Sequence, residues 1–368
     1  MLTRSAPGWP MLEARESVRN LPTYHPPLGG REGLRLDFNE NTAGCSPRVL
    51  ATLREITSKE IACYPERGPV EALVADYLRI DRSELLLTNG VDEAIHLLCN
   101  TFVQSGDEAL IVVPTFAMYE ISAAATGARV IAVPAEKDFR FPVASLFAQV
   151  TPRTRLIAIA NPNNPTGTVA DEKCLLEIAS RVPQAAILVD EAYFEFYGKT
   201  LLRQWHNLPN LFVARTFSKA FGLAGLRIGV LAGNAKHIGM VIKVASPYNV
   251  NGVALICLPT ALADQDYVRD YVSQVCQGRE ELQKEFKHWN IRHWPSQANF
   301  VLARFGLLSA AFIKSMRERG ILVRDRSRDH GCEGCVRITL GTNEHTGRLL
   351  RALREALTEI RGKKVAAT

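Results

Sequence analysis

Short apolar runs, rich in Val, Ile and Leu, recur along the chain between Leu85 and Ala214, and helical stretches separate them. Runs of this kind predict strands buried on both faces, and their alternation with helices is typical of a parallel sheet. Ligands of such open sheets bind beyond the carboxyl ends of the strands, so polar residues that follow a run are site candidates. The runs are 85–88, 109–116, 128–135, 154–160, 185–190 and 211–214.

Helices are predicted where capping residues and apolar spacing agree. Ser46 and Pro47 are suited to begin a helix that ends near Ile56, and Asp171 is suited to begin one that reaches Arg181. Further helices are predicted from about 69 to 78, from 91 onward and, as one long helix, over 266–289.

The pattern changes after Gly229, where helices and short strands mix. We therefore expect an α/β fold with two domains: a large one with a mostly parallel sheet covered by helices, and a smaller C-terminal α+β domain. The N-terminal residues are rich in proline and glycine and are predicted to form an arm with one short helical piece at 11–20. The expected boundaries are 1–33 for the arm, 34–255 for the large domain and 256–368 for the small domain.

The composition agrees with this organisation, since 368 residues of which 47% are hydrophobic and 22% charged can bury a large core. The formal net charge is +6, and the chain has no dense Lys/Arg run of the kind that binds nucleic acid. No apolar run is long enough for a membrane span, and the N-terminal MLTRSAPGWP lacks the apolar core of a signal peptide. We expect a cytoplasmic protein that binds neither nucleic acid nor membranes.

Of the eight cysteines, only Cys332 and Cys335 form a C-x-x-C pair. No second pair or nearby histidine couple completes a zinc site, so no metal is expected. The segment GCEGC is predicted to be a turn with two reduced thiols, because thiols in the cytosol normally stay reduced.

The candidate chemistry centres on residues 211–229, where polar side chains and glycines follow an apolar run. The amine of Lys219 is suited to form a Schiff base with an aldehyde, while Thr216, Ser218 and Arg227 are suited to hold a phosphate. Pyridoxal phosphate carries both groups, so the segment predicts a site for this cofactor.

Polar residues after the other runs suit the same cofactor. Asp190 ends a run, where a carboxylate can pair with a protonated pyridine nitrogen. Tyr193 and Asn164 can donate hydrogen bonds to a ring hydroxyl oxygen, and Phe116 can stack on an aromatic ring. The helix that begins near Val91 offers unpaired N–H groups to a phosphate.

The order of these segments resembles the aminotransferases of the aspartate aminotransferase fold, which are fold type I pyridoxal phosphate enzymes, and is most similar to the histidinol-phosphate aminotransferase family. The chain departs from that family at Phe116, where the closest members often have Tyr, and at Val91, where a small residue is usual. The shared segments run almost from end to end: RESVRNLPTY, DFNEN, YPE, TNGVDEAI, VVPTFAMYE, NPNNPTG, VDEAYFEF, RTFSKAFGLAGLRIG, SQANFVLARF, ILVRD and CVRITLGT.

The resemblance implies a role for each candidate. Lys219 would be the Schiff-base lysine and the catalytic acid/base, and Asp190 would pair with the pyridine nitrogen. Tyr193 and Asn164 would contact the ring hydroxyl, and Phe116 would stack on the ring. The phosphate would lie among Gly90, Val91, Asp92, Thr216, Ser218 and Arg227, with Tyr64 contributed by the other subunit of a homodimer. The positions that would contact the substrate are Tyr24, Asn164, Arg324 and Arg337.

The resemblance also implies an activity: transfer of an amino group from L-histidinol phosphate to 2-oxoglutarate, a step of histidine biosynthesis. The site would lie in the crevice between the domains, with the arm packed on the small domain or on the partner subunit. An aromatic amino acid aminotransferase and a lyase similar to threonine-phosphate decarboxylase remain alternatives, because they hold the same cofactor. A ligand sensor fused to a DNA-binding module is not expected, since no residues remain before Leu34 for a helix-turn-helix.

Overall fold

The structure is a computed structural model that describes residues 12–23, 29–30 and 32–366. The strands are β1 (Leu34–Arg35), β2 (Leu85–Thr88), β3 (Glu108–Val113), β4 (Arg129–Pro134), β5 (Thr154–Ala160), β6 (Ala186–Asp190), β7 (Leu211–Thr216), β8 (Gly229–Gly233), β9 (Arg292–His293), β10 (Phe300–Arg304), β11 (Ile321–Leu322), β12 (Arg324–Asp325) and β13 (Cys335–Thr339). The α-helices are α1 (Glu16–Arg19), α2 (Pro47–Glu55), α3 (Ser58–Ala62), α4 (Gly68–Leu78), α5 (Gly90–Phe102), α6 (Met118–Ala125), α7 (Val143–Gln149), α8 (Glu172–Arg181), α9 (Phe194–Tyr197), α10 (Ala235–Ile242), α11 (Gly252–Ala263), α12 (Gln265–His288), α13 (Ser309–Glu318) and α14 (Asn343–Ala366).

The large sheet has the strand order β2-β8-β7-β6-β5-β3-β4. Strands β4, β3, β5, β6 and β7 pair in parallel, whereas β8 is antiparallel to both of its neighbours, β7 and β2. The mostly parallel sheet predicted from the apolar runs is confirmed. The runs do not reveal β8, because its segment GVLAG is short and rich in glycine.

Helices cover both faces of the large sheet. Ile187 and Leu188 are consecutive in β6 and point to opposite faces, as successive residues of a strand must. Ile187 packs in a cluster with Ile178 of α8, and Leu188 packs in a cluster with Ile95 of α5. All four side chains are fully buried, and each such burial stabilises the fold by roughly 1.5–3 kcal/mol.

The predicted capping residues begin their helices. Ser46 Oγ accepts a hydrogen bond from Arg48 N at 3.1 Å, with Pro47 as the first residue of α2. Asp171 Oδ1 accepts one from Lys173 N at 3.0 Å at the start of α8. The long helix predicted over 266–289 is α12, one residue earlier at each end.

The C-terminal part has a second sheet of order β12-β13-β10-β9, in which all neighbours are antiparallel. Helices α12 and α13 pack on this sheet, and α14 packs on both helices, so the predicted small α+β unit is confirmed. The proposed boundary near residue 255 falls inside α11, which packs on α2 and α4. The domain limits remain a proposal.

The described part of the arm contacts helix α6 and the residue that precedes β11. Arg15 Nη2 and Ser17 Oγ donate to the carbonyl of Ala125, the last residue of α6, at 2.9 and 3.3 Å. Gly33, with φ +101°, passes so close to Gly320 that a Cβ would lie 2.4 Å from its carbonyl oxygen. Strand β1 follows and pairs in parallel with β11.

Candidate active site

A cavity of about 300 Å³ lies where the carboxyl ends of the parallel strands face the second sheet. Gly90 lies directly behind its wall, against Arg227. Tyr64 does not line the cavity of its own chain, and Tyr24 lies outside the described residues. The predicted residues that line it are Val91, Asp92, Phe116, Asn164, Asp190, Tyr193, Thr216, Ser218, Lys219, Arg227, Arg324 and Arg337.

Lys219 lies in the loop that follows β7, and its Nζ donates to the carbonyl oxygen of Phe38 at 3.2 Å. Burial, and then the positive charge of Arg337, lower the pKa of Lys219 to about 8. A lysine of lowered pKa has a larger fraction of neutral amine near neutral pH, and the neutral amine is the nucleophile.

Asp190 is the last residue of β6 and is buried. It accepts hydrogen bonds from the hydroxyl of Tyr119 at 2.5 Å and from the backbone N–H of Ala192 at 2.9 Å. Burial disfavours the charged carboxylate and raises the pKa of Asp190 to about 6. A cation beside the carboxylate would favour its charged form.

Tyr119 is a site residue that the sequence reasoning missed. It is fully buried, and burial followed by the charge of Asp190 holds the pKa of its hydroxyl well above the usual range, so it stays protonated and donates. The ring of Phe116 meets the ring of Tyr119 edge-on, with centroids 5.8 Å apart. The sequence did contain a signal for Tyr119. It lies three residues after Phe116 near the start of a helix, and residues i and i+3 of a helix share a face.

Asn39, in the segment DFNEN, was also missed as a site residue. Its Nδ2 donates to the hydroxyl oxygen of Tyr193 at 2.9 Å, and its Oδ1 accepts from Thr339 Oγ1 at 3.0 Å. Because the Tyr193 oxygen accepts this bond, its own proton is available for an oxygen of a ligand.

The start of α5 and the loop after β7 form a basic, donor-rich corner. Arg227 Nη2 donates to Asp92 Oδ2 at 2.9 Å. Gly90 has φ +76°, and a Cβ there would lie 2.6 Å from Arg227 Nη2, so only glycine leaves room for the guanidinium. Among the described residues, the buried Ser218 Oγ has no hydrogen-bond partner.

These features fit pyridoxal phosphate. An unpaired buried hydroxyl, a helix start and an arginine are the groups that bind a phosphate. A phosphate oxygen would give Ser218 Oγ the partner it lacks, and a pyridinium would favour the charged form of Asp190.

Arginines from the second sheet close the cavity on the other side. Arg337 is 5% exposed; its Nη1 donates to Asn164 Oδ1 at 2.5 Å and its Nη2 to the carbonyl oxygen of Asp37 at 2.7 Å. Arg324 is its partner across β12 and β13, so both side chains lie on one face. Arg326, which the sequence reasoning did not select, lines the same cavity.

Cys332 and Cys335 lie apart from the cavity; Cys332 is in the turn before β13, and Cys335 is the first residue of that strand. The backbone N–H of Cys335 donates to the carbonyl of Cys332 at 2.8 Å, and both thiols are free and buried in a cluster with Trp294. In the part of the chain that the structure describes, no group of three His, Cys, Asp or Glu side chains is arranged to hold a metal. No helix of that part is long and apolar enough to cross a membrane.

Comparison with known proteins places this arrangement in a family. The family described as aminotransferase class I and II matches residues 31–353 of the chain. The histidinol-phosphate aminotransferase of Caldanaerobacter subterraneus subsp. tengcongensis is 37% identical over 334 residues, which cover 88% of this chain and 93% of that protein.

Two solved structures share the fold. The histidinol-phosphate aminotransferase of Sinorhizobium meliloti, solved in complex with pyridoxal-5'-phosphate, has a TM-score of 0.84 and 24% identity over 94% of this chain and 97% of that one. The L-threonine-O-3-phosphate decarboxylase of Porphyromonas gingivalis has a TM-score of 0.75 and 24% identity over 88% of this chain and 99% of that one. At these identities the two structures show the fold alone and do not choose between transamination and decarboxylation. The family match and the Caldanaerobacter relative confirm the resemblance found in the sequence: the chain belongs to the aminotransferase class I and II family.

Proposed function

We propose that this aminotransferase uses pyridoxal phosphate to transfer the amino group of L-histidinol phosphate to 2-oxoglutarate, which yields imidazole acetol phosphate and glutamate. The observation that carries the proposal is one cavity that contains a lysine of lowered pKa, a buried carboxylate and several arginines. Relatives that are 33–37% identical bear the name histidinol-phosphate aminotransferase, which supports the choice of amino donor.

Pyridoxal phosphate supplies, when bound, an aldehyde and a ring that withdraws electrons. Lys219 Nζ would hold the aldehyde and, once the amino donor replaces it, would take the proton from the donor Cα. Asp190 would pair with the ring nitrogen and keep it charged. Tyr193 and Asn164 would orient the ring through its hydroxyl, with Phe116 on its face. The residues proposed to hold the phosphate are Gly90, Val91, Asp92, Thr216, Ser218 and Arg227.

The proposed substrate groups are the arginines of the second sheet. A guanidinium binds a carboxylate or a phosphate through two parallel hydrogen bonds, so Arg337 and Arg324 suit both halves of the reaction. Histidinol phosphate would present its phosphate to them, and 2-oxoglutarate a carboxylate. Asn164, which already accepts a bond from Arg337, is proposed to contact the substrate as well. Tyr24 remains a proposal from the family resemblance.

A panel of amino donors tests the proposed substrate. We expect L-histidinol phosphate to bleach the visible band of the bound cofactor on the order of 10²-fold faster than phenylalanine or tyrosine, since only the phosphate satisfies two guanidinium groups. Single-turnover absorbance and release of carbon dioxide are the measurements. Faster bleaching by phenylalanine would favour an aromatic aminotransferase, and carbon dioxide released from O-phosphothreonine would favour a lyase. Either outcome would contradict the proposed donor and leave the cofactor assignment intact.

We further propose that the chain acts as a homodimer in which each site receives Tyr64 from the other copy. Tyr64 is 77% exposed and stacks on Tyr248, itself 54% exposed, with centroids 4.2 Å apart. The nearby Ile61 is 63% exposed, and large apolar side chains left in solvent together mark interaction surfaces. A second copy of this chain is the occupant that the family resemblance implies.

Sizing by light scattering is expected to find a stable dimer. Tyr64→Phe keeps the ring and removes the hydroxyl, and it should weaken cofactor affinity by roughly tenfold through the loss of one hydrogen bond to a charged group. Tyr248→Phe, in the same pair of rings, is the matched control and should leave the affinity unchanged. A fully active monomer would refute the dimer.

The cytoplasm is the compartment we propose. All eight cysteines are free, and four of them, including Cys332 and Cys335, are buried. A chain with this many unpaired thiols suits a compartment that keeps thiols reduced.

A further inference from the structure

Arg326 stands beside the two arginines proposed to bind substrate. It lies two residues beyond Arg324, and its backbone N–H donates to the carbonyl of Cys335 at 2.9 Å, which continues the β12–β13 pairing. Alternate residues of a strand share a face, so Arg324 and Arg326 point the same way, towards the face that carries Arg337. The Arg326 side chain is only 15% exposed and lines the cavity that contains Lys219.

The charges of this cluster favour a multiply charged anion. Burial, and next the positive charge of Arg326, lower the pKa of Arg337 to about 10, and the charge of Arg324 acts in the same direction. Asp329 is the carboxylate that pairs with Arg326. Three guanidinium groups and one carboxylate leave two positive charges in excess among these four side chains. A dianion would remove that excess, whereas a monocarboxylate would remove half of it.

Two unpaired hydrogen-bond donors also indicate that this cluster binds an anion. Among the described residues, the buried Nε atoms of Arg326 and Arg337 have no hydrogen-bond partner. Buried donors of this kind are normally paired, so two unpaired N–H groups on side chains that line one cavity favour the binding of a ligand oxygen there. The turn keeps Arg326 in place, because the backbone N–H of Asp329 donates to the Arg326 carbonyl at 3.0 Å.

We propose that Arg326 is a specificity-determining residue that favours amino donors that carry a dianionic group, such as a phosphate monoester. The inference rests on the proposed function, since it concerns the donor of the same site. Arg326 would act on donor affinity, because it would contact the dianionic group of the donor and not the atoms that react.

The test compares two donors that differ only by the phosphate, L-histidinol phosphate and L-histidinol, in the half-reaction of the holoenzyme. Arg326→Gln is expected to lower kcat/KM for histidinol phosphate by roughly 10- to 100-fold, mainly through KM, and to change that for histidinol less than about twofold. Arg326→Lys keeps the charge without the planar fork and should retain part of the preference. Arg328→Gln removes an exposed arginine of the same turn and should behave as wild type.

Inorganic phosphate provides a readout that does not depend on the proposed donor. It should inhibit the reaction with histidinol competitively in the wild-type enzyme and roughly tenfold more weakly in Arg326→Gln. An equal loss for both donors, or equal inhibition by phosphate in wild type and variant, would overturn the role of Arg326. A wild-type enzyme without preference for histidinol phosphate over histidinol would instead contradict the proposed donor, and the phosphate inhibition would still decide the role of Arg326.

Discussion

Replacing Lys219 with alanine is expected to abolish the visible band of the bound cofactor and to lower the transamination rate by on the order of 10⁴-fold or more. Lys219 would both hold the aldehyde and move the Cα proton, and among the described residues it is the one lysine that lines the cavity. Absorbance spectra after incubation with pyridoxal phosphate and a steady-state assay measure the two effects.

Two control variants test whether the effect is due to the amine of Lys219. One keeps the positive charge at position 219, and the other removes a different lysine. Lys219→Arg keeps a positive charge but cannot form a Schiff base, and it should be as inactive as the alanine variant. Lys236→Ala removes an exposed lysine at the start of α10 and should keep both the band and the rate. Survival of the band in Lys219→Ala would rule out this lysine as the attachment point.

The protonation of Lys219 gives the reaction with cofactor a pH dependence. The neutral amine attacks the aldehyde, and the pKa of Lys219 is about 8. The band of the wild-type protein should therefore form faster as the pH rises towards 8 and level off above it.

Asp190→Asn is expected to lower the rate by on the order of 10³-fold, because the ring nitrogen loses its charged partner and the ring withdraws electrons less well. The amide is close in size to the carboxylate, and its oxygen can keep the bond from the backbone N–H of Ala192. Its NH2 group would then face Tyr119, whose hydroxyl oxygen can accept in place of donating, so the fold should persist. Steady-state rates, with thermal unfolding as the check on folding, measure this effect. A rate near that of wild type would show that Asp190 is structural.

The same carboxylate predicts how cofactor affinity varies with pH. Asp190 has a pKa of about 6 and loses its charge as the pH falls through that value. The wild-type protein should therefore bind the cofactor, whose ring nitrogen is charged, more weakly as the pH falls through that value. The affinity of Asp190→Asn for the cofactor should not change over the same pH range. Tyr119→Phe removes one hydrogen bond and keeps the carboxylate, so its rate should fall only by roughly tenfold.

Local pattern was sufficient for much of the fold. A strand buried on both faces needs a continuous apolar run, and the residues that end the runs lie at one sheet edge because the strands are parallel. This is why the sequence was sufficient to place Asp190, which ends β6, and Lys219, which follows β7, in one site. The caps Ser46 and Asp171 were predictable for a similar reason, since a cap bonds to residues next to it in sequence.

The sequence by itself therefore determined the strand-helix order, the mostly parallel sheet and the group of polar residues beyond it, because each depends on neighbours in the chain. Tertiary structure alone decided the antiparallel placement of β8, the bond from Asn39 to Tyr193 and the bond from Arg337 to the carbonyl of Asp37. The two hydrogen bonds join residues that are separated in the chain by 154 and 300 positions, respectively. The periodicity of a sequence indicates on which face of a helix or strand a residue lies, but not which distant side chain lies opposite. Such pairs therefore form only when the two sheets pack together, and so does the arginine cluster that includes Arg326.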